Sequence, residues 1–423
     1  MLCVSLATDP TCSESSSSTR PGGRVASARR LRRWTGLALV TMALAATSVV
    51  PASARSTEQV ATAVARSTAV QAEATNYLQN SQHDGLALGA PLRSTMKRAW
   101  QVRLDDHVSY AVTAGGRVFV ATATGDAYGG SVYALDARTG RRVWGPVALG
   151  GYWQVASLAF DSGKLLTLNA AGRVRALSPA TGVQLWSAQL PQELTYVEPP
   201  TAVSGRLFVV GDGNQSTTFA LNVATGRVLW TNTADPARGA VVGGGKVYLA
   251  GGLDRARALT RNGAALWDTI YCCLVPLTPV LHGNTLWVRD WADATYALST
   301  SGGAVKFTLP FSAPPAVSGD RALLTTSDGV AAYSASTGRR LWLQPAVTGS
   351  APPVISGNIA YVGTRTFKGT VYGLDLATGA VVWTGATGIP IELGEYNAVL
   401  RSSLAVGGGM LLVPSGGTLT AFR

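Results

Sequence analysis

The chain has 423 residues, of which 47% are apolar and only 14% charged, and it contains 48 glycines. That is more core material than a disordered chain offers, and turn material enough for many short strands. The formal net charge of +12 is spread thinly, with no Lys/Arg run longer than a pair after residue 54, which argues against a dedicated nucleic-acid binder.

In chain order, the first element is an export signal. Arg29, Arg30, Arg32 and Arg33 precede an uncharged run from Trp34 to Val50, and Ala52-Ser53-Ala54 supplies an A-x-A cleavage site. Cleavage is expected after Ala54, leaving no membrane span and a protein that is secreted or held in the cell envelope. Residues 1–54 carry six Arg against Asp9 and Glu14, a surplus of four, so the remainder holds +8. Residues 55–96 follow as a linker or lead-in. ATAVARSTAVQAEATNYLQ within it could form one short helix, but its weak patterning equally suits a mobile tether.

From residue 97 onward one unit recurs. VYALDARTGRRVW (132–144) returns as VRALSPATGVQLW (174–186), TFALNVATGRVLW (218–230), ARALTRNGAALW (256–267), TYALSTSGGAVKF (295–307), VAAYSASTGRRLW (330–342) and VYGLDLATGAVVW (371–383), and a half-copy, LTAFR, ends the chain. The closing aromatics stand 42, 44, 37, 40, 35 and 41 residues apart, the period of propeller blades. In each copy an alternating strand meets a D-x-x-T-G turn, in which Asp136, Asn222 or Asp375 accepts backbone N–H bonds and a glycine such as Gly140 closes the loop. A second hairpin, of the type AVTAGGRVFVA or PVISGNIAYVG, precedes every copy. The GGG runs at 243–245 and 407–409 occupy this hairpin's turn and so are turns rather than phosphate loops.

Four strands per unit and eight units predict an all-β, eight-bladed β-propeller of four-stranded antiparallel blades over 97–423. The last unit stops one strand short, while an unpaired strand, KRAWQVRL (97–104), stands in front. That strand is expected to complete the last blade and close the ring. Trp100, Trp144, Trp186, Trp230, Trp267, Phe307, Trp342 and Trp383 are then structural wedges between blades.

Catalytic templates fail. His83, His107 and His282 are the only histidines and lie far apart, so no metal site is expected, and no G-x-S-x-G elbow is present. After signal cleavage the only cysteines are Cys272 and Cys273, adjacent in sequence, either a vicinal disulfide or two thiols. Function must sit where the loops depart from the repeat. The connections from each outer strand to the next inner strand, and from second to third strands, share one rim of a propeller. They hold the candidate ligand or partner residues Tyr152, Trp153, Cys272, Cys273, Arg289, Asp290, Trp291, Asp293, Glu395 and Tyr396.

The repeat A-L-D-x-x-T-G-x-x-x-W resembles that of the pyrroloquinoline-quinone (PQQ) type propellers over about residues 97–423, and Asn76-Tyr77-Leu78 to His83-Asp84-Gly85 resembles their lead-in. The resemblance implies one of two classes. BamB-like eight-bladed propellers are non-enzymatic and bind protein partners. Quinoprotein dehydrogenases bind PQQ and calcium on the ring axis. The dehydrogenase class would make Cys272-Cys273 a disulfide against the quinone and place Trp291 or Trp153 on its other face. Asp290, Asp293 or Glu395 would become calcium ligands, and Arg289 a partner for the quinone carboxylates. The blades here are more compact than in that class and the cysteine pair comes later in the ring. The expectation is therefore a non-catalytic, monomeric scaffold without cofactor that binds a protein or an envelope polymer through one rim. A PQQ/calcium-dependent dehydrogenase is the alternative, and an extracellular carbohydrate-binding propeller using Tyr152, Trp153 and Trp291 the second.

Overall fold

A computed structural model describes residues 71–105, 107–123, 129–151, 155–213, 216–233, 239–252, 255–271, 278–290, 294–310, 312–348, 351–391 and 400–423. They form eight sheets in a ring, antiparallel throughout except that Leu86–Ala87 adds to the inner strand of blade 7 in parallel. Blade 1 runs outward from Val112–Ala114 through Arg117–Ala123 and Gly130–Asp136 to Arg142–Gly150. Blades 2 to 7 repeat this over 156–189, 201–232, 239–270, 280–310, 316–344 and 354–386. Each inner strand faces the channel, the second and third strands carry the buried Val, Leu and Ala side chains, and the outer strand is an exposed edge.

Blade 8 joins the two ends of the chain, as the repeat count requires. Its first three strands are Ala405–Gly407, Met410–Ser415 and Thr418–Phe422, and its outer strand is Arg98–Arg103. The pairing runs from Arg98 opposite Phe422 to Arg103 opposite Thr418. Lys97 and Arg423 exchange backbone hydrogen bonds at 3.0 and 2.9 Å beyond it. No edge is left at the seam.

The turns behave as their residues dictate. Asp136 accepts from the Thr139 N–H (2.9 Å) and the Thr139 hydroxyl (2.7 Å), which hold its carboxyl below the usual carboxylate range. Asp375 does the same with Thr378. Gly140 closes its turn at φ +71, and a Cβ there would lie 2.7 Å from the Trp100 indole of the preceding blade. The tryptophans pack between blades and act as donors as well. Trp100 Nε1 donates to the Ala137 carbonyl at 2.9 Å, Trp144 to Pro179 at 3.0 Å, Trp186 to Val223 at 2.9 Å and Trp342 to Leu376 at 3.1 Å. Each ring thus packs on the next blade's turn glycine while its N–H ties off that turn's carbonyl.

Over residues 71–92 the lead-in is neither a helix nor a mobile tether, and residues 61–70 of the stretch expected to be one or the other lie outside the described residues. Residues 71–92 contain no helix, and Asn76, Tyr77, Gln79, His83 and Asp84 are buried. The segment crosses the channel and meets the inner strand of every blade at one equivalent residue, four positions before the second strand begins. Backbone carbonyls accept in six blades: Ala74 from the Thr113 N–H, Thr75 from Phe160, Ser81 from Val242, Gln82 from Leu281, Asp84 from Val317 and Gly85 from Ile355, all at 2.7–2.8 Å. Side-chain amides do the work in the other two. Asn76 accepts from the Ala202 N–H (2.7 Å) and donates to its carbonyl (3.1 Å), and Gln79 does likewise with Val406 (2.9 and 2.7 Å). An inner strand has an unpaired channel-side edge whose buried N–H groups need acceptors. One strand cannot run alongside eight radial edges, so apart from Leu86–Ala87, which pairs with the inner strand of blade 7, the segment is irregular and supplies one acceptor to each.

The plug lies toward one face. Gln82 approaches Gly243, the last residue of an inner strand, while Pro91 packs on Gly357 and Gln71 on Gly409, both in inner-to-second hairpin turns. The channel is therefore a cup, closed on the turn face and facing the loop rim on the other.

Candidate functional site

The loop rim is where chain connections of unequal length enter the blades, and four of them are tied together by buried charge. Glu198, at the end of the loop into blade 3, is 4% exposed. Its Oε2 accepts from the Thr278 hydroxyl at 2.7 Å, and its Oε1 from an Arg401 guanidinium N–H. Thr278 precedes the inner strand of blade 5 and Arg401 that of blade 8. Arg289, also 4% exposed, ends the second strand of blade 5 and donates to the carbonyls of Thr278 and of Ser312, in the loop into blade 6, both at 3.3 Å. The Arg401 carbonyl accepts from the Tyr110 N–H (3.0 Å), and the Tyr110 hydroxyl bonds both backbone groups of Leu158 in blade 2. Burial raises the Tyr110 pKa, so this phenol stays neutral.

Such a network is stabilising only when complete. A carboxylate stripped of water and left unpaired costs several kcal/mol, whereas one met by a guanidinium and a hydroxyl roughly breaks even. What it supplies is position: the entries to blades 3, 5, 6 and 8 are held in one arrangement across the mouth.

Of the residues nominated from the sequence, Arg289 and Asp290 are described. Asp290 is 2% exposed and shapes the turn between the second and third strands of blade 5. Its Oδ1 accepts from the Ala294 N–H (2.7 Å) and its Oδ2 from the Tyr296 hydroxyl (2.8 Å). As placed, Arg289 holds loop carbonyls and Asp290 holds a hairpin. The nominated Tyr152, Trp153, Cys272, Cys273, Trp291, Asp293, Glu395 and Tyr396 lie outside the described residues. Among the described residues no group of three or more His, Cys, Asp or Glu is arranged to hold a metal, and no helix is long and apolar enough to cross a membrane.

Glu198, Thr278 and Arg401 escaped the sequence reading. They belong to no motif, and Glu198 and Arg401 are 203 residues apart. The one available signal was Glu198 itself, a lone acid set between Val197 and the Pro199-Pro200 pair.

The cup and the rim can now be set beside known proteins. The family model described as outer membrane protein assembly factor BamB matches residues 90–193, 128–272 and 273–390. The chain belongs to this family. Among its relatives, BamB of Burkholderia pseudomallei is 26% identical over 338 residues, covering 74% of this chain and 83% of the relative. The BamB crystal structure from Moraxella catarrhalis superposes with a TM-score of 0.59 at 19% identity, over 78% of this chain and 98% of that one. The quinohemoprotein alcohol dehydrogenase of Comamonas testosteroni shares the fold at a TM-score of 0.65 and 13% identity, over 84% and 81%. At such identities the two structures speak for the BamB-family fold and not for a shared chemistry.

Proposed function

We propose that this BamB-family propeller is a non-catalytic scaffold of the cell envelope that binds a protein partner through its loop rim. The observation that carries the reading is the buried link Arg289–Thr278–Glu198–Arg401. It fixes loops from separate blades into one preformed surface, and preformed surfaces limit the entropy lost on association. The related BamB proteins, whose name is that of an outer-membrane assembly factor, support the same reading. The turn face is less suited to this role, because its channel end is filled by the chain's own plug.

Site-specific photo-crosslinking in cells tests it. A photoreactive residue at Glu193 or Phe367, on the rim, should give a discrete crosslinked protein, and one at Ala224 or Thr378, on the turn face, should not. In parallel, the purified protein is mixed with PQQ and calcium and followed by absorbance, thermal shift and dye reduction. A stoichiometric shift that disappears in Cys272→Ser would overturn the scaffold reading in favour of the dehydrogenase.

A further inference from the structure

The two faces of the ring differ in charge, and the basic one is the closed one. Eight inner-to-second turns and seven third-to-outer turns make up the turn face, and all of their residues are described. Counted with the strand residue on either side of each turn, Arg or Lys occurs five times in the first set and seven times in the second, against four carboxylates, Asp136, Asp161, Asp320 and Asp375. The surplus is eight positive charges on one face. Counted the same way, the described residues of the opposite rim hold seven cations against six carboxylates, a surplus of one.

The disposition of the charges matters as much as their number. All four carboxylates accept backbone N–H bonds within or between the turns: from Thr139 (2.9 Å), Gly205 (2.6 Å), Ser336 (2.8 Å) and Thr378 (2.9 Å). They are pinned against the ring. Arg138, Arg141, Arg227 and Arg339 are exposed and stand around it, on blades 1, 3 and 6. The plug leaves this face without an open channel, and where its chain wraps over the blade 7 turn it presents Leu88, 72% exposed. A broad closed face with a diffuse cationic rim and a projecting aliphatic side chain matches an anionic bilayer surface. Headgroup phosphates meet the arginines there, and the interfacial region takes the leucine. A soluble polyanion would have no use for Leu88.

We propose that the turn face docks on anionic phospholipid bilayers, with Arg138, Arg141, Arg227, Arg339 and Leu88 as its principal contacts. Docking in this orientation turns the loop rim away from the bilayer, and it is independent of what the rim binds.

Co-sedimentation of the purified full chain with vesicles tests this, using phosphatidylcholine alone or with 30% phosphatidylglycerol, at 50 and 300 mM NaCl. Binding should require the anionic lipid and weaken with salt. An interfacial cation near such a surface is worth roughly fivefold in partitioning. The variant R138Q/R141Q/R227Q/R339Q, checked for an unchanged melting curve, should therefore lose at least about tenfold. L88S should lose about threefold, and R365Q/K368Q on the opposite rim should stay within about twofold of the parent. Equal binding to phosphatidylcholine alone would overturn the proposal, as would an undiminished quadruple variant. So would an unaffected L88S whose binding dextran sulfate abolishes charge for charge, since that marks a generic polyanion exchanger.

Discussion

Asn76→Ala is the most direct probe of the plug. Asn76 is 1% exposed, and its amide imitates a strand by bonding both backbone groups of Ala202 in blade 3. Truncation leaves a buried N–H and a buried carbonyl without partners, each worth about 1–3 kcal/mol. A void the size of an amide adds to the cost. The expected loss is about 3–5 kcal/mol, a large part of the total stability of an ordinary domain, read from urea or guanidinium unfolding. Asn76→Asp refines the test. Its carboxylate still accepts from the Ala202 N–H but sets a second oxygen against the Ala202 carbonyl. At neutral pH it should be at least as damaging as Asn76→Ala. Burial raises the pKa of such an acid, so as the pH falls toward about 4 it protonates and can donate to that carbonyl, and its deficit relative to the parent should shrink. A loss below about 0.5 kcal/mol for Asn76→Ala, or a deficit in Asn76→Asp that does not change with pH, would refute the idea that the plug holds the inner strands.

Three further outcomes follow from the same geometry. Trp100→Phe removes the buried N–H bond to Ala137 and should cost about 1–3 kcal/mol by thermal or chemical unfolding. A Phe already serves at position 307, so the fold itself should persist. Glu198→Ala removes the buried carboxylate that accepts from the Arg401 guanidinium and the Thr278 hydroxyl and should cost about 3–5 kcal/mol. Its rim crosslinks should be lost while vesicle binding is retained. His83 is fully buried and its pKa is pushed down to about 3 by desolvation. The unfolded chain binds a proton near the ordinary value of 6.5 and the folded ring does not. This contribution is therefore intact above about pH 6.5 and is lost as pH falls toward 3, at up to about 1.4 kcal/mol per pH unit. Unfolding free energies for the parent and His83→Gln between pH 7 and 4 should converge as the pH drops, and parallel curves would contradict the assignment.

The ring was legible because its causes are local and repeated. A Gly at positive φ that closes the third-to-outer turn and an aromatic four residues later recur in seven blades, so each copy reinforces the others. The plug was not, because its partners are set by the closed ring. Ala74, Thr75, Ser81 and Gln82 act through backbone carbonyls, which leave no trace in residue identity, and only Asn76 and Gln79 act through side chains. The rim failed for a related reason. Arg289 and Asp290 were singled out as charged residues in a loop, which they are, but nothing local distinguishes a guanidinium holding a neighbouring loop from one awaiting a ligand. Glu198 and Arg401 acquire meaning only once blades 3 and 8 are brought together.

The bond between Gln79 and Val406 joins residues 327 positions apart, and it bears on when the protein can become itself. The plug is made early, yet its eighth acceptor waits for a strand that is among the last synthesised, and Arg98–Arg103 waits beside it for Thr418–Phe422. Contacts so distant in sequence form slowly, because a long loop must close before they return any stabilisation. The ring therefore cannot close at this seam until Thr418–Phe422 is available to Arg98–Arg103.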